Sequence, residues 1–494
     1  MLCVERAQER SMMNEQATGL YREQALILRF QLQVFAFMWA AATLFHQVQF
    51  KTLDSKFHYF LLTVAAISVL IKPSSLIRFF IFILLQLNEA LIQLPEISNH
   101  WALVTIVNLT AIQVLIFSAI REKSFSIDPS KFFARLIPIV RAEIIIFYFY
   151  VVFHKLNSAF LNPDVSCASD FFTAQNISSI TPSRLLLQSN AYFTLVVEAI
   201  IPLFLLFRKS RTAGLLIGLI FHCIIAYNPL NGFYDFSSSI FALYVFFLQP
   251  SFTQTLYHRL HSPNTKQFFQ KFHIAKDSTS GKAFWLYLFI AACFVLGGII
   301  TIDLAGYFIR DFYRYIVWTI YSLFAIVLFA QWAWSKTKTI EKQVEHFTWH
   351  WSFYMFPVII FLNGFCPYLG SKTEYSFAMF SNLRTEGGIS NHYLVPASWQ
   401  IFNYQKDMVE IKSSSDPALQ TIADKNQLLT YFKLKEAVSK RKIGTIEYVR
   451  NGELMRYDDL SSKGHDLKKK NPFLQRKFLD FRTIYKSEPQ PCSH

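Results

Sequence analysis

Between Leu26 and Phe361 the chain is a succession of apolar runs separated by short polar connections. The runs are roughly 17 to 20 residues long, the length that carries an α-helix across a hydrocarbon core. They fall at residues 26–45, 57–71, 76–94, 101–120, 136–154, 191–207, 212–228, 235–249, 284–302, 315–334 and 351–366. The pattern predicts an α-helical multi-pass membrane bundle of about eleven transmembrane helices. From Lys372 the pattern becomes that of a small soluble α+β domain. There "SFAMFSNL" and "NYQKDMVEI" alternate like half-buried strands, "IEYVRNGELMRY" is two such runs joined by Asn451-Gly452, and "LLTYFKLKEAVSKR" has helical spacing. "RTEGGISNH" reads as a turn-rich segment and the terminal "KSEPQPCSH" as a frayed tail. The predicted organisation is a cytoplasmic segment 1–24, a transmembrane domain 25–255, additional transmembrane helices 256–370 and a soluble domain 371–494.

Composition agrees, with 53% hydrophobic and only 16% charged residues, too few charges to cover a soluble globule. The first 24 residues have no apolar core and no small-residue cleavage site, so no cleaved signal peptide is expected. The net charge of +15 is concentrated in alternate connections such as "KPSSLIR", "REKSFSIDPSKFFAR", "FRKSR" and "SKTKTIEK". Lysine and arginine near membrane spans are retained in the cytoplasm, so the N-terminus is expected inside and, with an odd span count, the C-terminal domain outside. Topology accounts for the positive excess, and membrane lipid rather than nucleic acid is the expected surrounding. The six cysteines show no CxxC spacing, so no metal site or redox pair is encoded locally. Cys167 and Cys366 both map to the outer side, where they could pair in an oxidising compartment.

The runs contain ionisable residues: Arg29, Arg78, Glu89, Arg141, Glu143, Glu198 and His222. Such groups face a bundle interior and find partners, and interhelical pairing is the expected role of Arg29, Arg78, Glu89 and Glu143. Arg141, Tyr148 and Lys155 lie seven residues apart, on nearly one face of a helix, and make a polar stripe. Two readings of Lys155 stand: an interfacial lysine extending its amine to the lipid edge, or a base in a partly dry site where burial favours the neutral amine. Topology puts His100 and His222 toward the same side, so all three could meet at one mouth.

At these residues the chain resembles vitamin K-dependent gamma-glutamyl carboxylase. "RAEIIIFYFYVVFHKLNSAF" resembles the family's aromatic helix ending in Lys-Leu, "EISNHWAL" its Asn-Asn-His segment, "GLIFHCIIAYNP" its Phe-His-Cys segment and "ILRFQLQVF" the start of its first helix. The order is preserved over residues 25–255, the family's HTTM (horizontally transferred transmembrane) domain, and the C-terminal portion resembles that of bacterial HTTM-domain proteins. The resemblance implies oxygenation of reduced vitamin K or another quinol with O2, removal of a glutamate γ-proton and capture of CO2, without a metal. It implies Lys155 as the base and His100 as the residue of the carboxylation half-reaction, with His222, Asn99, Arg141 and Tyr148 lining the cofactor site. His154 stands where the carboxylase has a second lysine, and the C-terminal region is shorter than the carboxylase's substrate-binding region. A bacterial inner membrane is the expected location. The rival expectation is a transporter or scaffold in which buried charges bind an ion or hold helices, although no paired inverted repeats or matching Gly/Pro-broken helices are visible.

Overall fold

The computed structural model describes residues 2–49, 56–124, 126–175, 181–249, 253–254, 257, 307–333, 351–441, 443–460 and 466–492. In chain order its first helices are α1 (Leu2–Gln49), α2 (Phe57–Ile71), α3 (Leu76–Gln93), α4 (Asn99–Glu122), α5 (Pro129–Phe153) and the short α6 (Cys167–Ala174). There follow α7 (Arg184–Leu206), α8 (Arg211–Ile225), α9 (Tyr234–Tyr244), α10 (Tyr307–Ala333) and α11 (Met355–Leu369). Side-chain caps set several starts: Asp128 accepts from Ser130 N at 2.9 Å before α5, and Ser183 accepts from Leu186 N at 3.2 Å before α7.

Five helical stretches, Tyr21–Gln49, α3, α4, α5 and α7, are long and apolar enough to cross a membrane. Five shorter apolar helices lie at Phe57–Ile71, Arg211–Ile225, Tyr234–Phe247, Arg314–Val327 and Met355–Leu369. The predicted run 284–302 lies outside the described residues. Ile77, Leu185 and Ile120 are 76, 75 and 70% exposed, a surface stabilised by lipid rather than by water. The protein is therefore membrane-embedded. Trp39, Trp101, Phe133 and Tyr244 fill the bundle interior.

The ionisable residues find partners. Glu89 meets His58 Nδ1 at 2.6 Å, Glu143 accepts from Thr110 Oγ1 at 2.5 Å and Arg78 donates to Ser68 O at 3.0 Å. Arg29 pairs with Asp128 at 3.1 Å, but at a half-exposed helix end rather than within the bundle.

The C-terminal sheet is antiparallel, in the order β4-β3-β1-β2-β5, from β1 (Met408–Ser414), β2 (Gln427–Thr430), β3 (Ile446–Arg450), β4 (Glu453–Tyr457) and β5 (Ile484–Tyr485). Its core joins Val409, Ile411 and Tyr448 to Leu419 of α12 (Pro417–Asp424) and Leu434 of α13 (Tyr431–Lys440). The hairpin forms at Asn451-Gly452, where φ is +52° and +84°. The expected helix over 428–441 splits, because Thr430 ends β2 and caps α13 by accepting from Lys433 N at 3.3 Å.

Two expectations are overturned here. Residues 376–383 form no strand; Phe377, Phe380 and Asn382 have positive φ, and the segment folds over one end of the bundle. Its backbone is satisfied there: Asn157 Nδ2 donates to Ser381 O at 2.6 Å, and Asn99 Oδ1 accepts from Phe377 N at 2.7 Å. The terminal segment is not a frayed tail either, since Cys492 is disulfide-bonded to Cys167. Cys366, the partner expected for Cys167, is a free thiol that donates to Leu362 O.

Candidate functional site

Lys155 follows the last turn of α5, and its side chain turns inward rather than out to the lipid edge. The residue is 5% exposed, and its Nζ lies 2.5 Å from Oε2 of Glu198 on α7, itself 8% exposed. A buried ion pair of this kind persists when geometry and hydrogen bonding compensate for lost hydration. The backbone after it is held by Asn157, which accepts from Ala159 N and Phe160 N at 3.1 and 2.9 Å.

The pair stands at the edge of a cavity of about 720 Å³, within the size range of small-molecule sites. Apolar side chains supply most of the wall, including Phe160, Val197, Ile217 and Phe236. Met379 and Phe380 of the segment folded over the bundle also contribute, so the C-terminal region helps roof the space. Phe193, Ile220 and Ile224 line the cavity and are at the same time 63, 48 and 63% exposed on the outer surfaces of α7 and α8. The cavity therefore reaches the lipid-facing surface between these two helices.

A second polar element meets the wall opposite the ion pair. Tyr148 OH lies 2.7 Å from His222 Nε2 and 2.6 Å from Tyr244 OH, a buried chain linking α5, α8 and α9. Tyr148 and His222 line the cavity. The close approach of α8 and α9 requires Gly218, because a Cβ there would overlap the Tyr244 ring.

The structure thus brings together Lys155, Tyr148 and His222 but not the other three residues expected to join them. His100 is absent from the cavity wall and contacts Asp235 Oδ2 at 2.9 Å. Phe236 stands between, with ring centroids 5.8 Å from His100 and 5.1 Å from His222. Asn99 is engaged with Phe377 N, as described above. Arg141 donates to Phe246 O at 2.7 Å and sits over the Phe247 ring at 5.7 Å, away from the cavity wall. The stripe at seven-residue spacing therefore splits, because its upper two members enter the cavity while the third holds the end of α9. Sequence reading singled out Glu198 as an ionisable residue in an apolar run without pairing it to Lys155. It missed Tyr244 and Asp235, whose signal is a hydroxyl and a carboxylate inside the run 235–249.

Comparisons of the chain with protein-family models, with curated proteins and with solved structures find no match.

Proposed function

We propose that the protein is an HTTM-type membrane enzyme related to gamma-carboxylases, acting on a lipophilic quinol taken up from the bilayer. The observation that carries this reading is the Lys155–Glu198 pair, 2.5 Å apart, at the edge of an apolar cavity that reaches lipid between α7 and α8. The residues fit such a ligand: a greasy enclosure suits an aromatic ring and its tail, and two separated polar groups suit its two oxygens. When bound, a reduced quinol supplies an acidic aromatic hydroxyl and, with O2, the oxidation that generates a strong base for proton removal before CO2 capture.

In this reading the proton on Lys155 Nζ passes to Glu198 Oε2, which leaves a neutral amine beside a neutral carboxylic acid. A low-dielectric site narrows the gap between that state and the ion pair, because both charges are lost together. The amine then accepts the substrate's hydroxyl proton, and the resulting ammonium stabilises the anion formed. Tyr148, held by His222 and Tyr244, hydrogen-bonds the far oxygen and fixes the ring. His100, behind Phe236, has no part in these steps.

We further propose eleven spans in a bacterial inner membrane, with the N-terminus in the cytoplasm and the C-terminal domain outside. The Cys167–Cys492 disulfide supports this, since such bonds persist in oxidising compartments.

The test is quinol oxidation coupled to fixation of labelled CO2, with photo-crosslinking by an azido-quinone as a binding readout. Lys155→Arg keeps the positive charge opposite Glu198 but resists deprotonation. It should preserve folding and crosslinking to α7 and α8 while lowering turnover by about 10²- to 10⁴-fold. Full activity of Lys155→Arg, or a folded wild type that neither crosslinks nor oxidises quinol, would put the transporter or scaffold reading ahead.

A further inference from the structure

Three ligand-type side chains from three helices converge on the far side of Phe236: His46 near the end of α1, His100 at the start of α4 and Asp235 in the first turn of α9. They are 4, 8 and 4% exposed. One donor atom from each lies within 4.8 Å of the others. His46 Nδ1 and His100 Nε2 approach the same oxygen, Asp235 Oδ2, at 3.3 and 2.9 Å. The second carboxylate oxygen, Oδ1, accepts from Phe236 N at 2.6 Å, which fixes the carboxylate and presents Oδ2 to both imidazoles. The His46 ring packs on Trp101 with centroids 4.1 Å apart, so its orientation is also set.

Hydrogen bonding leaves part of this arrangement unexplained. His100 Nε2, although 2.9 Å from the carboxylate, is not hydrogen-bonded to it and has no other hydrogen-bond partner. Among the described residues no lysine or arginine pairs with Asp235, so two neutral imidazoles leave its negative charge uncompensated inside the bundle. An isolated buried carboxylate is costly, and a divalent cation among the three donors offsets it. The spacing also suits an ion: with metal–ligand bonds of about 2.0–2.1 Å, neighbouring donors in a tetrahedral site stand roughly 3.3 Å apart.

We infer that His46, His100 and Asp235 form a binding site for a divalent first-row transition-metal ion of the zinc class. Two imidazoles and one carboxylate favour such ions over magnesium or calcium, which take oxygen-rich sets. Three protein ligands leave a coordination position for water or another small ligand. The site is separate from the Lys155 cavity and does not depend on the quinol reading.

The experiment uses the full chain in nanodiscs, stripped with a chelator, reloaded with Zn2+ or Co2+, desalted and analysed for metal. Wild type should retain about one equivalent, and the cobalt form should show visible d–d absorption of a low-coordinate nitrogen and oxygen site. His46→Ala and Asp235→Asn should each reduce retention by about tenfold or more, whereas His58→Gln, which removes a histidine elsewhere, should not. X-ray absorption of the zinc-loaded wild type, which requires no variant to fold, should show imidazole scattering without sulfur. Failure of wild type to retain stoichiometric metal, retention unchanged in both folded ligand variants, or a sulfur-containing or oxygen-only coordination sphere would overturn the assignment.

Discussion

Lys155 and Glu198 are each other's neutralisation, so removing one should cost more than removing both. Glu198→Gln leaves a buried ammonium opposite an uncharged amide, and a broken buried pair costs about 3–5 kcal/mol. The double variant Glu198→Gln, Lys155→Met should recover most of that stability, read as the thermal midpoint, while remaining inactive. Lys372 offers a pH test outside the spans. Burial lowers its amine from 10.5 to about 8, and the amine lies 3.5 Å from the Tyr375 ring centroid. Below pH 8 the group is protonated in folded and unfolded chains alike, and the cost of burying the charge stands in full. Between about 8 and 10.5 the folded chain releases the proton first, so stability rises with pH, by up to about 3 kcal/mol. The midpoint of Lys372→Met relative to wild type, highest at neutral pH, should therefore fall as pH is raised to 10; a constant difference would count against burial as the cause. Lys155 was legible in the sequence as an ionisable group at the end of an apolar run, but its partner lies 43 positions later. No local spacing connects them, and the same holds for His46, His100 and Asp235 on three helices. Such pairings are made by packing, which periodicity does not encode.

The helices of the bundle were legible because lipid imposes a long apolar run on each crossing element. The β3–β4 hairpin was legible because Asn451-Gly452 supplies the two positive φ values its turn demands. The segment 376–383 misled because alternation records only which side chains are buried. Phe377 is buried against Phe147, with centroids 5.2 Å apart, while Phe380 packs on Phe171 at 4.9 Å, so a coil docked on a bundle imitates a half-buried strand. At α8 and α9 the decisive position is Gly218. Gly218→Ala should displace the Tyr244 ring, cost about 1–3 kcal/mol of stability and weaken azido-quinone crosslinking. Unchanged crosslinking and an unchanged thermal midpoint would mean that the two helices adjust without moving the Tyr148–Tyr244 contact.

Across the molecule, the arrangement can be tested by labelling single cysteines introduced at residue 130 and at Asn231 in a variant lacking Cys223 and Cys366. The first should react only from the cytoplasm and the second only from the opposite side; equal access to both would refute the proposed orientation. The C-terminal segment is anchored by more than its disulfide, since Asn382 accepts from Cys167 N at 2.9 Å and donates to Gln490 O at 3.1 Å. Cys492→Ser should therefore weaken the roof without releasing it, seen as faster proteolysis beyond Asp480 with the bundle intact. The opening between α7 and α8 has a different consequence. A compound that reaches the cavity through lipid is governed by its mole fraction in the bilayer rather than by its concentration in water. At fixed amounts of protein and compound, adding empty vesicles dilutes the compound in two dimensions and raises its apparent Kd in proportion to total lipid. Potencies measured at different lipid-to-protein ratios then become comparable only when expressed per lipid molecule.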